Sequence, residues 1–265
     1  MIISPDMTEA YGRTAPFPHA VLDDALPADR LRRVAREIEA ARIDPEAAFY
    51  GSLGKRRASD LASFPPETRA LVEELNSPAF ISALEALTGI AGLEPDPDLE
   101  GGGIHQIPAG GYLKVHTDFN WHRKLQMHRR VNVLIYLNEV WDENWGGCLE
   151  LWSEDDLANE AGAPARTIAP LFNRMVVFST TDFSYHGHPH ALRCPPDRTR
   201  NSLALYYYSK DRPAEEVRFG ALDMTNYRSV GASDLGVKHK VHQVMIRNPS
   251  LRRAARALQS LWSKD

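Results

Sequence analysis

The chain has only two cysteines, Cys148 and Cys194, in 265 residues. That excludes a disulfide framework and any cysteine-rich zinc or iron–sulfur site. Neither cysteine has a His and an acid nearby in a nucleophile's arrangement, so both read as small apolar residues. Long apolar runs are lacking too: no window approaches the roughly 18 uninterrupted apolar residues of a membrane span. The opening MIISPDMTEAYGRT has neither the basic nor the apolar stretch of a secretory leader, so a cytoplasmic protein is expected. Charge of one sign is also missing. With 31 Lys and Arg against 35 Asp and Glu, the net charge of −4 gives no reason to expect a nucleic-acid or anionic-membrane partner. What remains is an ordinary globular composition, 43% hydrophobic and 25% charged, long enough for a substantial core. Histidine is the exception, with ten in all and seven of them between His105 and His190.

The first hundred residues read as mainly helical support. Pro27 precedes Leu31, Val34 and Ile38 at amphipathic spacing, a second helix is expected from Pro66 to Leu75, and Ser77-Pro78 opens a third that Gly89 ends. Between the first two lies a polar stretch with the run Lys55-Arg56-Arg57, read as a solvated loop. From Gly101 the texture changes. GYLKVH, RVNVLIYLN, GGCLELW, RMVVFST and SLALYYYS are short, β-branched and aromatic, with Gly, Pro, Asn and Asp between them. Strands at this spacing without intervening helices predict an antiparallel sandwich or barrel over residues 101–212. Residues 213–265 read as an irregular extension ending in an amphipathic helix after Pro249, with Leu251, Leu258 and Leu261 on one side. All three regions are expected to form one domain.

The chemistry concentrates in GGYLKVHTDFNWH. His116 and Asp118 are two apart, so on a strand they share a face. One His and one carboxylate are two ligands of a divalent metal, and a facial triad for non-haem iron needs one further His. The stretch FSTTDFSYHGHPHAL offers His186, His188 and His190. Fourteen positions after His186, Arg200 opens the strand RNSLALYYYS, with Ser202 on the same face. An Arg there can grip the remote carboxylate of a dianion in a bidentate pair, with a hydroxyl donor beside it.

In this order and spacing, H-x-D, then His, then R-x-S, the sequence resembles the iron(II)- and 2-oxoglutarate-dependent dioxygenases, most closely their prolyl 4-hydroxylase-like branch. The resemblance runs from Ile104 to Tyr208 and includes the W-x-x-x-x-G-G-x-L pattern from Trp141 to Leu149. It implies a mainly β fold with flanking helices around a double-stranded β-helix core, a cupin-like jelly roll. It assigns His116, Asp118 and His186 to the metal, with His188 as the alternative distal ligand, and no catalytic side chain beyond the metal centre. Arg200, Tyr136 and Ser202 are assigned to the cosubstrate. The implied cofactors are Fe(II), 2-oxoglutarate and O2, with ascorbate as an accessory reductant. The implied reaction is hydroxylation of an unactivated C–H, of a prolyl residue in a protein or peptide or of an amino-acid-like small molecule. Asp118 argues against halogenation, which needs a small residue there. Gln106 stands where some members of the family carry a tyrosine.

Asn120 and Trp121 follow the metal motif and are candidates for the substrate mouth. Asn132 is four positions before Tyr136, and Tyr206 shares a strand face with Arg200, so either could reach the pocket. His105, His19, His128, His239 and His242 read as structural or surface. The alternatives are a catalytically silent jelly-roll module that binds a metal and a ligand, and a zinc hydrolase, which would leave Arg200 and Tyr136 without a role. The oligomeric state is not legible.

Overall fold

The computed structural model describes residues 5–41, 43–45, 51–159, 162–228 and 237–252. Its centre is a pair of antiparallel sheets. The larger runs in the order His19–Leu22, Met175–Ser179, Met127–Tyr136, Thr199–Ser209, Gly103–Pro108 and Arg56–Ala58, with short strands Glu94–Pro95 and Trp121–His122 attached. The smaller runs Arg166–Ile168, Leu149–Trp152, Tyr185–His188, Tyr112–Thr117 and Asn226–Tyr227, with Ser52–Leu53 also on Tyr112–Thr117. This is the mainly β jelly roll with flanking helices that the sequence implied.

Alternation decides which way each strand faces. Val131, Val133 and Ile135, with Leu203, Leu205 and Tyr207, point to one side of the large sheet and form a single core cluster with Leu31, Val34, Ile38, Leu71 and Leu84 of the helices. Their intervening neighbours Asn132, Leu134, Ser202 and Tyr206 line a cavity on the other side. Burying each Leu, Ile or Val of that cluster is worth about 1.5–3 kcal/mol, which holds the helices on the sheet.

The helices Ala28–Ala40, Pro66–Leu75 and Pro78–Thr88 begin and end where their signals stand. Ser77 Oγ accepts from the Phe80 N–H, and Gly89 closes its helix at φ +71°, a conformation that glycine adopts without steric penalty. Glu37 fastens the first of these helices to the second. Its carboxylate accepts from the Glu67 and Thr68 amides at 3.0 and 2.8 Å, satisfying donors that a helix start leaves open.

Two expectations need correction. The polar stretch containing Lys55-Arg56-Arg57 is not a solvated loop throughout: Arg56–Ala58 pairs with Gly103–Pro108, and Ser52–Leu53 with Tyr112–Thr117. Edge strands carry little apolar signal because one side stays solvated. The extension after Pro213 is not uniformly irregular, since Asn226–Tyr227 joins the smaller sheet and Val237–Arg247 is a helix. The helix after Pro249 falls mostly outside the described residues. Among the described residues, no helix is long and apolar enough to cross a membrane.

Candidate metal centre and its cavity

His116 and His186 are direct partners on adjacent antiparallel strands, their rings 4.4 Å apart between centroids. Asp118, just beyond the end of its strand, reaches both: Oδ1 lies 3.6 Å from His116 Nε2 and Oδ2 lies 3.5 Å from His186 Nε2. All three are buried. The Nδ1 of each imidazole is within 2.8–2.9 Å of a backbone carbonyl two residues earlier, Lys114 or Ser184. Donation from Nδ1–H to those carbonyls fixes the tautomer and leaves each Nε2 lone pair turned to the centre of the trio. Burial, with His116 beside it, lowers the His186 pKa to about 4, against an opposing pull from Asp118, so the imidazole is neutral and able to ligate at physiological pH. Two imidazoles and one carboxylate, their ligand atoms all within 4.8 Å of one another, fit a divalent metal of the iron type.

Asp118 is held from the other side by Arg129. Arg129 Nη2 stands 3.0 Å from Asp118 Oδ2, and Arg129 Nε donates to Asn132 Oδ1 at 2.9 Å. Asn132 Nδ2 donates in turn to Asp118 Oδ2 at 2.8 Å. The guanidinium stacks 3.3 Å over the Tyr206 ring and 4.8 Å from that of Phe119. Burial alone would raise the Asp118 pKa, but Arg129, His186 and His116 together hold it well below the usual carboxylate range.

About 140 Å³ of cavity opens beside this trio, between the two sheets. Ser202, Asn132 and Tyr206 line it, and so does Arg200 from the large sheet. Arg200 is buried, its Nε donating to the Gly147 carbonyl at 2.6 Å and its Nη2 to the Tyr136 hydroxyl at 3.2 Å. Gly147 sits at φ +74°, and a Cβ there would lie 2.6 Å from Leu192 Cδ2 and 3.0 Å from Arg200 Cδ. Glycine is thus what lets that carbonyl approach the guanidinium. A larger cavity, about 370 Å³ between Met7, Tyr11, Leu22 and Leu87, has no comparable cluster of ligating groups among the described residues.

His116, Asp118, His186, Arg200, Ser202, Asn132 and Tyr206 therefore share one cavity, and Tyr136 touches it through Arg200. Asn120 and Trp121 do not reach it. Asn120 donates to Asp182 and the Gly220 carbonyl and accepts from the Leu222 amide, and Trp121 packs edge-on against His128. Both stabilise the loop beyond the metal motif. Gln106 also points away, donating to the Ile38 carbonyl at 2.8 Å. Its neighbour His105, read as structural, lines the cavity instead, opposite Ser202.

His188, the alternative distal ligand, lines the cavity outside the ligating trio, whereas nothing in the sequence points Arg129 or Tyr227 to it. Arg129 escapes strict alternation because a β-bulge lets Tyr207 face Val131 and Tyr208 face Arg129, leaving Arg130 unpaired. Tyr227, from the extension, packs 5.5 Å from the His116 ring, and its amide donates to His242 Nε2 at 3.3 Å. No motif in the sequence marks it.

Comparison with known proteins agrees with this geometry. Residues 102–208 match the family model described as the 2OG-Fe(II) oxygenase superfamily. No curated protein matches the chain. Among solved structures, it is similar to a Pseudomonas putida prolyl-4-hydroxylase, at 21% identity and TM-score 0.51, covering 77% of this chain and 100% of that one. A Trichoplax adhaerens prolyl hydroxylase, solved with a hypoxia inducible factor oxygen degradation domain peptide fragment, gives 16%, TM-score 0.55 and coverages of 78% and 89%. HygX from Streptomyces hygroscopicus, with nickel, 2-oxoglutarate and hygromycin B bound, gives 14%, TM-score 0.55 and coverages of 84% and 97%. These likenesses establish the fold. The family match over residues 102–208 covers the segment that carries His116, Asp118, His186 and Arg200.

Proposed function

We propose that the chain is a 2OG-Fe(II) oxygenase, an enzyme of the dioxygenase class with iron(II) and 2-oxoglutarate as cofactors, that hydroxylates an unactivated C–H with His116, Asp118 and His186 as the iron ligands. The observation that carries the reading is the meeting of that trio and Arg200 in one cavity between the sheets. When bound, iron(II) and 2-oxoglutarate supply dioxygen activation coupled to decarboxylation of the cosubstrate to succinate, which oxidises a substrate C–H to an alcohol. The chain's own residues bind and orient. His116, Asp118 and His186 offer three donor atoms from one side, which leaves room for cosubstrate and oxygen.

Arg200, buried and oriented by Gly147 and Tyr136, would hold the cosubstrate's remote carboxylate. Ser202, beside it on the strand, adds a hydroxyl donor. Leu134, Leu149 and Phe178 make the walls apolar and exclude water around the reacting atoms. Asn132 and Arg129 fix the Asp118 carboxylate, and Tyr206 supports Arg129.

For the substrate we favour a prolyl residue in a peptide or an amino-acid-like small molecule. The fold is shared with prolyl hydroxylases, one of them solved with a peptide, and with a protein solved with hygromycin B. Tyr206, Asn132 and Tyr227 line the cavity in which it would bind.

The test is anaerobic addition of 2-oxoglutarate to the iron(II)-loaded protein. A weak visible charge-transfer band is expected, followed in air by succinate formation with a panel of prolyl peptides and amino acids. His116→Ala and Asp118→Ala should lose iron. Arg200→Ala should keep iron and raise the 2-oxoglutarate requirement by about 10- to 100-fold, the worth of hydrogen bonds to a charged group. Iron retained by the His116 and Asp118 variants would sink the assignment.

A further inference from the structure

The ring of His188 is the group in the cavity that the reading above leaves unused. It is 3% exposed, and neither of its nitrogens has a hydrogen-bond partner among the described residues. Buried polar groups of proteins are almost always paired, and leaving one unpaired costs about 1–3 kcal/mol. The ring is held there by the backbone. On the strand Tyr185–His188 the pairing with Tyr112–Thr117 slips, so that His186 faces His116 but His188 faces Leu113. Gly187, between them, lies so close to the neighbouring strand that a Cβ would sit 2.8 Å from the Lys114 carbonyl oxygen and 2.9 Å from that of Leu113. Two residues on from His186, His188 shares its face of the strand and so reaches the cavity wall outside the ligating trio, while the extra residue of the bulge falls on Tyr112–Thr117 and turns Leu113 to the same cavity.

His188 shares the lining of the cavity with Arg200 and Ser202, further along its strand than the ligand His186. A neutral imidazole has one N–H to donate, and beside a guanidinium the fitting partner is an anion that accepts from both. Arg200 is already partly engaged, with Nε on Gly147 and Nη2 on Tyr136. A carboxylate has about four acceptor positions, so it can take a further donor beside the guanidinium and the Ser202 hydroxyl.

We propose that His188 is a cosubstrate-binding residue, its ring N–H donating to the carboxylate that Arg200 anchors. This rests on the reading of Arg200 as that anchor. It makes the pocket selective for a 2-oxo acid with a second carboxylate through three side chains, Arg200, Ser202 and His188.

The test compares 2-oxoglutarate with 2-oxopentanoate, which has the same chain length and no distal carboxylate. Both are titrated anaerobically into the full-length, iron(II)-loaded protein and followed by calorimetry and by the visible band. His188→Leu should weaken 2-oxoglutarate by about 10- to 100-fold, the worth of one hydrogen bond to a charged group, and leave 2-oxopentanoate and iron content unchanged. His188→Gln, which keeps an N–H donor, should recover most of that loss. An unchanged 2-oxoglutarate affinity, equal losses for both acids, or loss of iron would each overturn the proposal. Wild-type protein that binds no 2-oxoglutarate would overturn the functional reading itself, and this inference with it. If His188→Leu does not fold, a crystal structure of the wild type with zinc and 2-oxoglutarate decides. A ring nitrogen within about 3.2 Å of the distal carboxylate supports the proposal, and a longer separation refutes it.

Discussion

Replacing Arg129 by Met keeps most of the side-chain volume and removes the charge that faces Asp118. Arg129 is 1% exposed, and its guanidinium lies 3.0 Å from the Asp118 carboxylate and 2.9 Å from Asn132. Taking one partner from a buried pair leaves an uncompensated charge, at about 3–5 kcal/mol. The stack on Tyr206 is lost as well. In the metal-free protein of Arg129→Met, unfolding free energy should fall by that amount, with a Tm drop on the order of 10 °C. A divalent cation at the trio replaces the missing positive charge, so the metal-loaded variant should lose much less. The assay is urea and thermal unfolding with and without zinc, for wild type, Arg129→Met, Asp118→Asn and the double variant. Because the two groups touch, the double variant should be more stable than the sum of the single losses by about 1–3 kcal/mol. Additive losses, or a metal-free loss below about 1 kcal/mol, would show that Arg129 only fills space.

Gly147→Ala should push on Arg200 and Leu192, since the added Cβ would meet both at 3.0 Å or less in a left-handed backbone. Steady-state kinetics should show a raised KM for 2-oxoglutarate with kcat largely kept, and an unchanged KM would refute the role given to the Gly147 carbonyl. The metal-free protein should also lose stability as pH falls from about 6.5 towards 4. His186, with its pKa lowered to about 4 by burial, refuses in the folded state a proton that the unfolded chain accepts below about 6.5. Burial acts in the same direction on His188 and His105. The penalty from His186 alone is about 2 kcal/mol at pH 5, absent above neutrality, and equal denaturant midpoints at pH 7 and 5 would contradict it.

The sequence carried much of this protein openly. Ser77-Pro78, Gly89 and Pro66 mark helix ends because capping is local chemistry. The strands from Tyr112 to Ser209 show in their β-branched and aromatic content, and residues placed two apart keep His116 with Asp118 and Arg200 with Ser202. Edge strands such as Arg56–Ala58 stay hidden in polar text, because pairing with Gly103–Pro108 is settled by backbone bonds rather than side-chain hydrophobicity.

By itself, then, the sequence marked an antiparallel strand-rich middle and the candidate donors His116, Asp118 and Arg200, and its resemblance to a family added the jelly roll and His186. Only the tertiary structure decided which further side chains face those donors. Two bulges shift the alternation by one residue, placing Arg129 on Asp118 and Leu113 in the cavity, and one strand turns His105 inward and Gln106 out. A bulge is set by the partner strand, and no single strand's sequence records the register of its neighbour.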